Sequence, residues 1–550
     1  MRRPPLSDRR MRGRWLILAP ILAVATALVG TVAHEPVTDH PVFREMDGPD
    51  VVNPLRGQFD NIGTGLFPQS NVGQQHYPDW PGSKDAAIRV DWRSLQPVDP
   101  RTLPPDAPES AKYDFSAIDE ALETYAAQGM RVGLRVSSYD SCCETSPEGN
   151  VNIGVPDWLT TVPGATATYE YDGVQQVIPN WNDNNYVGNF EALLAALGRK
   201  YDRDERLSIF EMSGYGDFSE NHVAFMRDQL GMPAPDEQSS EAELGYYSQY
   251  RDQYITKATV VRLVDANLRA FRNTQMVTAT GNPEIVKQLL RDSAELAGTV
   301  KPVGLRSDCL GVFSPVPTWA GNQYSKYVER SDPIVDVLLE RYSTAPVLTE
   351  WCQKPDDMTS TEYYERALSD VIDHHVSMTA SSGFPDQFNG DTMSRDLYSL
   401  WSRANVVSGY RYVADATAGA PDSDGTVSGT VRWTNKGTAA VHENWTVEYR
   451  LLDPSGAVVQ TVPSAIDLRT MTSPQSSSDT GGVPAPTTAQ ENVEFDVSGL
   501  SSGFYTVSAA VVWNEHKAGA TSTVNYEPMS LAQNGRGMDG GYGLVTFEIP

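Results

Sequence analysis

"LSIFEMSGYGDFSENH", residues 207–222, sets a cluster of polar and aromatic groups directly behind an apolar run. Leu207, Ile209, Phe210 and Met212 read as a short buried strand. Beyond them come Gly214 and Gly216, which loosen the backbone. Tyr215 and Phe218 add flat apolar surface, and Asp217, Glu220 and His222 add titratable groups. Titratable chemistry at the end of a buried strand belongs either to a surface turn or to the rim of an active site. The number of similar strands in the chain decides between them.

Seven further stretches fit the same pattern: "GQFDNIG" (57–63), "AAIRVDW" (86–92), "RVGLRVSSYD" (131–140), "QMVTATG" (275–281), "PVGLRSDC" (302–309), "APVLTEW" (345–351) and "VSMTASSG" (376–383). Amphipathic segments lie between them. "FSAIDEALETYAAQGM" (115–130) predicts a helix ending near Gly129. The longest helical pattern runs from about 243 to 272, with Leu244, Tyr247, Tyr254, Ala258, Val261, Leu268 and Phe271 as the expected buried face. Eight strands alternating with helices predict a (β/α)8 TIM barrel, whose functional groups gather at the carboxyl ends of the strands. A doubly wound sheet would announce a Gly-rich phosphate turn after an early strand, and no G-x-G-x-x-G occurs between residues 53 and 412.

After Tyr412 the pattern changes. "TVSGTVRWTN", "WTVEYRLLD", "GFYTVSAAVVW" and "GLVTFEI" alternate like short strands, with no helix of useful length, and predict an immunoglobulin-like β-sandwich. Residues 471–488 are expected to form a loop. The expected layout is a signal peptide at 1–33, a linker at 34–52, the catalytic barrel at 53–412 and the sandwich at 413–550. The signal peptide is read from six arginines ahead of the apolar run 15–30, followed by Thr31-Val32-Ala33. Cleavage there gives a secreted, extracellular protein; left uncleaved, the segment would be a membrane anchor.

The 550-residue chain carries a formal net charge of −28. Removing 1–33 takes away six Arg and one Asp, leaving −33. Such a surface repels nucleic acid and anionic membranes and favours neutral or cationic partners. Oligomeric state is not legible in the sequence.

Reading the strand ends in order collects Arg89, Asp91 and Trp92, then Arg135 and Tyr139, then Tyr215 to His222, then Arg306 and Asp308, and finally Glu350 and Trp351. Two carboxylates across a cleft can hydrolyse a glycosidic bond, one protonating the leaving oxygen while the other attacks. Glu220 is the expected general acid/base and Glu350 the expected nucleophile. Arg89, Trp92, Arg135, Tyr139, Trp181, Tyr215, His222, Trp319 and Trp351 are the expected substrate-binding residues, the aromatic rings as stacking faces for sugars. His222 stands alone and His374-His375 lacks H-E-x-x-H spacing, so no metal is expected. No G-x-S-x-G elbow is present between residues 53 and 412, and no cofactor is expected.

These carboxylates resemble those of clan A glycoside hydrolases such as families 5 and 42, retaining enzymes with paired Glu after strands four and seven. "IRVDWRSLQPVDPRT" and "YDFSAIDEALETYAAQGMRVGLRV" are similar to the opening of such barrels. "NPLRGQFDNIG", "SGYGDFSENH" and "LAQNGRGMDGGYGLVTFEI" resemble a group of secreted bacterial glycoside-hydrolase-like proteins with a C-terminal sandwich. The resemblance implies a retaining hydrolase acting on a carbohydrate. The chain departs from clan A in having Ser219, not Asn, before Glu220, which keeps Asp217 and Glu211 as substitutes. A reading from a different class is a carbohydrate-binding or cell-surface protein on a degenerate barrel.

Cys309 and Cys352 end neighbouring strands, six and seven, which run about 4.8 Å apart, within disulfide range. Cys142 and Cys143 are open to a vicinal bond, two free thiols or one longer-range bridge.

Overall fold

Eight parallel strands close on one another around a single axis. In chain order they are β1 (Gly57–Asn61), β2 (Ser83–Asp91) and β3 (Arg131–Ser137); then, past an inserted sheet of β4 (Val151–Ile153), β5 (Thr166–Tyr171) and β6 (Val174–Pro179), they continue as β7 (Leu207–Glu211), β8 (Gln275–Ala279), β9 (Gly304–Leu310), β10 (Val347–Trp351) and β11 (Met378–Ala380). Every neighbouring pair is parallel, and β1 pairs with both β2 and β11, which closes the barrel. All eight expected barrel strands are present. The computed structural model describes residues 50–61, 82–141, 150–232, 255–313, 315–316, 334–352, 354–380, 395–474 and 482–550. The expected signal peptide, Trp319, Cys142 and Cys143 lie outside the described residues.

Helices pack around the barrel through apolar stripes. The Ser116–Ala126 helix buries Ile118 and Leu122, and Gly129 follows it in the left-handed region. The helix expected over 243–272 is described from Lys257 to Ala270. Its buried face is Val260, Leu263, Val264, Asn267 and Leu268, at helical spacing, whereas Ala258 and Val261 face solvent. The expected stripe was thus rotated by about one residue. Thr256 caps this helix by accepting from the Thr259 N–H.

Seven antiparallel strands follow in two sheets: β12 (Tyr412–Ala418), β13 (Thr426–Asn435) and β16 (Thr487–Asp496) in one, and β14 (Trp445–Leu452), β15 (Val458–Pro463), β17 (Gly503–Trp513) and β18 (Tyr542–Ile549) in the other. Alternating residues such as Val431, Trp433, Val447, Tyr449, Val507 and Phe547 fill the space between them, giving the expected sandwich. β16 begins inside the stretch expected to be a loop, at Thr487.

The sandwich covers the amino-terminal face of the barrel. Arg131, which opens β3, pairs with buried Glu443 at 2.7 Å and lies over the Trp513 and Tyr526 rings. Lys301 pairs with Glu515 at 2.7 Å, and His516 meets Glu205 at 3.1 Å. The Lys517 ammonium donates to the Asp204 and Leu207 carbonyls and to Thr274, and burial lowers its pKa to about 7. Each barrel partner lies at or just before the start of a strand, so the opposite, carboxyl-terminal face is left to function.

Candidate active site

β7 ends at Glu211, and the chain then makes a tight loop that carries Glu220. Gly216 has φ +83°, and a Cβ there would lie 2.5 Å from the His222 carbonyl, whose oxygen accepts from the Asp217 N–H at 2.7 Å. Phe218, Ser219 and Asn221 hold φ of 55°, 59° and 61°, left-handed values that cost about 1–3 kcal/mol each in a non-glycine residue. Contacts on both sides of the barrel hold them there. Ser219 Oγ donates to the Val136 carbonyl of β3 at 2.7 Å, and Asn221 Nδ2 donates to the Ala279 carbonyl of β8 at 2.9 Å. The Phe218 N–H donates to Tyr139 O at 2.9 Å, and Asp217 accepts from the Ser141 N–H at 2.8 Å. Glu220 is therefore held between two anchors, and Ser219 serves as one of them.

Two arginines organise the carboxylates around it. Arg135, from β3, donates to Glu220 at 2.6 Å and lies 3.5 Å from Glu211. Arg306, from β9 and almost wholly buried, reaches Glu211 and Glu220 at 3.3 Å each and Asp308 at 2.6 Å, and pairs with Glu350 of β10. His222 Nε2 lies 3.4 Å from the second oxygen of Glu220. Carboxylate oxygens of Glu220, Asp308 and Glu350 all fall within 4.8 Å of one another. A cation would have to compete there with Arg306, which already pairs with all three.

The environment sets different protonation states in this cluster. Burial favours the neutral form of Glu220, but Arg135, Arg306 and His222 outweigh it and hold the carboxyl well below the usual carboxylate range. Burial and the charge of Glu220 push Asp308 up to about 6, against the pull of Arg306, Arg135 and His222. Burial likewise raises Asp217 to about 7. His222 is raised because Glu220, Asp217 and Asp308 outweigh its burial.

Of the residues expected at this rim, Glu220, Glu350, Arg135 and His222 converge. Arg89 sits beside them, paired with Asp140 at 3.1 Å and 4.9 Å from the Phe218 ring. The expected aromatic stacking faces among the described residues are buried. Trp92 opens a short helix and is buried among Trp158, Tyr186 and Phe190. Trp181 and Tyr215 are buried edge to face at 5.1 Å, and Tyr139 is buried with its hydroxyl donating to Gln176. Trp351 packs against Tyr363, Tyr364 and Trp401 in the helical layer. The cause is strand alternation: with Glu350 facing the barrel axis, the next residue must face the helices. Arg306 and Asp308 were visible at a strand end, two residues apart and so on one face, but their position at the centre of the cluster was missed.

Cys309 and Cys352 are joined, with Cα atoms 4.5 Å apart, as the neighbouring strands predicted. The pairing register runs from Ser307↔Thr349 to Leu310↔Trp351, so β9 carries one extra residue there, and Cys309 has φ +60°. This bulge, one residue after Asp308, turns the strand end at the mouth.

No protein-family model and no curated protein matches the chain. Among solved structures it is similar to endo-glycoceramidase II from Rhodococcus sp. in a cellobiose-like imidazole complex, at 12% identity over 81% of this chain and 99% of that one, TM-score 0.37. It is also similar to a glucosidase from Croceicoccus marinus, at 10% identity over 82% and 97%, TM-score 0.30. A third is a β-1,4-D-mannanase from Cryptopygus antarcticus, at 12% identity over 58% and 79%, TM-score 0.28. Likeness at these scores carries no argument. The barrel rests on its own strand register.

Proposed function

We propose that this protein is a secreted retaining glycoside hydrolase acting on a neutral or cationic poly- or oligosaccharide, with Glu350 as nucleophile and Glu220 beside it at the barrel mouth. The observation that carries the reading is the convergence of Glu220, from the loop after β7, and Asp308 of β9 on Glu350 of β10, with carboxylate oxygens of all three within 4.8 Å of one another. A retaining pair needs carboxyl groups about 5–5.5 Å apart, whereas an inverting pair leaves about 6.5–9.5 Å for a water. Glu350 closes the short buried strand β10, which gives a nucleophile a rigid base. In the first step its carboxylate attacks the anomeric carbon while a proton passes to the leaving oxygen. In the second, water releases the sugar with its original anomeric configuration.

Turnover of aryl glycosides, followed by proton NMR of the first-formed anomer, tests the proposal. Retention supports it, and inversion rejects the mechanism. Sugar binding without turnover across a broad panel would instead favour the non-catalytic carbohydrate-binding reading, which the dense ion pairing around Arg306 also suits.

A further inference from the structure

Among the described residues the cluster holds four carboxylates, Glu211, Glu220, Asp308 and Glu350, around two permanent cations, Arg135 and Arg306. His222 adds a third charge only when protonated. Carboxylates crowded in this way do not all ionise; the least well compensated keeps a proton. Glu220 is compensated best, since both arginines and His222 touch it. Glu211 also meets both arginines. Asp308 has one direct cationic contact, Arg306, which it shares with the other three carboxylates. Its side chain is also the most open of the three at the mouth, 28% exposed against 12% for Glu220 and 10% for Glu350. A leaving group arriving from solvent would meet it first.

We infer that Asp308, and not Glu220, carries the catalytic proton to the leaving group. This rests on the hydrolase reading above and assigns the acid/base role within it. As the Glu350 carboxylate bonds to the anomeric carbon and the glycosidic C–O bond breaks, the Asp308 proton passes to the departing oxygen. Water then attacks the glycosyl ester, its proton returns to Asp308, and Glu350 departs as a carboxylate. Only water is consumed. Glu220 stays ionised throughout, an anion facing the positive charge that develops on the sugar. The groups around Asp308 are Arg306 on its own strand, Arg135 from β3, Glu211, Glu220 and His222 from β7 and its loop, and Glu350 from β10. Their combined effect, with burial, puts the Asp308 carboxyl near 6, high enough to hold a proton in mildly acidic solution.

Leaving-group dependence tests the assignment, because a 2,4-dinitrophenyl glycoside departs without protonation and an alkyl glycoside does not. The isosteric variant D308N should lose at least about a hundredfold in kcat/KM on alkyl glycosides, the scale of a general acid, and far less on the dinitrophenyl substrate. E220Q should lose activity on both alike. A misfolded variant also loses both, so a selective loss in D308N reports proton donation. The reverse pattern, selective in E220Q and uniform in D308N, overturns the assignment. Carboxyl carbon-13 NMR gives a readout independent of turnover: Asp85 and Asp140 are also raised to about 6, so the resonance to follow is the one that disappears in D308N, which should titrate near pH 6 in the wild type. Titration of that resonance near the ordinary 3.8 also overturns the assignment. If that titration is seen while the wild type cleaves nothing, the hydrolase reading fails, and the donor role with it, although the proton is where the charge count puts it.

Discussion

Cys309 and Cys352 bond across the ends of β9 and β10, one residue after Asp308 and two after Glu350. The link joins the two strands that deliver these carboxylates, and it closes a bulge whose left-handed residue is Cys309 itself. Replacing both cysteines with serine should lower stability by about 2–4 kcal/mol. It should also lower kcat more than it raises KM, because the reacting groups lose their shared tether. Denaturant unfolding and steady-state kinetics on one preparation check this; an unchanged kcat would limit the bond to a stabilising role.

The pH dependence follows from Asp308. Its folded value, about 6, lies above its ordinary 3.8. The protonated acid is therefore present below about 6 and lost as pH rises through it. On alkyl glycosides kcat/KM should show an alkaline limb near pH 6, and on the dinitrophenyl substrate that limb should be absent from the wild type and from D308N alike. The same shift makes the folded state bind more protons than the unfolded one between those two values. Asp308 thus contributes stability below its ordinary value, and that contribution is lost as pH rises through about 6. Global stability of D308N should be less sensitive to pH across that window.

The loop that carries Glu220 depends on Gly216. Gly216→Ala places a Cβ 2.5 Å from the His222 carbonyl at φ +83°, so the loop must open. Activity should fall at least tenfold, with a stability loss of about 1–3 kcal/mol. Asn221→Ala removes the anchor on β8 without introducing a clash, and should lower kcat with a stability loss of about 1 kcal/mol. Equal kcat for Asn221→Ala and the wild type would show that the loop is positioned by other contacts.

At the other end of the barrel, Glu443→Gln leaves the Arg131 guanidinium buried without its partner charge. Removing one member of a buried pair costs about 3–5 kcal/mol, and urea unfolding should register it. Because β12 to β18 cover the barrel floor, a chain ending near Ala416 should be insoluble or much less stable. A soluble, fully active truncation would refute the structural role of the sandwich.

The barrel was legible because each strand is a short apolar run ending in polar residues, and that pattern survives without tertiary information. The sandwich was legible from the loss of helical spacing after Tyr412. Glu220, Glu350, Arg135 and His222 were found as strand-end chemistry. Among the described residues the aromatic rings were misjudged because adjacency in sequence was taken for adjacency in space; Glu350 and Trp351 are neighbours on the chain but face opposite sides of β10. The helix face at 257–270 was misread because Ala258 and Val261 fit the spacing as well as Val260 and Val264 do. The central position of Arg306 depends on β3, β7, β9 and β10 converging at one mouth, and the placement of Asp308 on a bulge beside a disulfide. Neither leaves a local sequence signal.

The central claim is that Glu350 forms a covalent bond to the sugar. A fluorinated glycoside with an activated leaving group should trap that intermediate, and peptide mass spectrometry can locate it. The account predicts one sugar adduct per chain, on the peptide containing Glu350 and lost in Glu350→Gln. An adduct on Glu220 or Asp308, or steady turnover with inversion and no adduct, would contradict it.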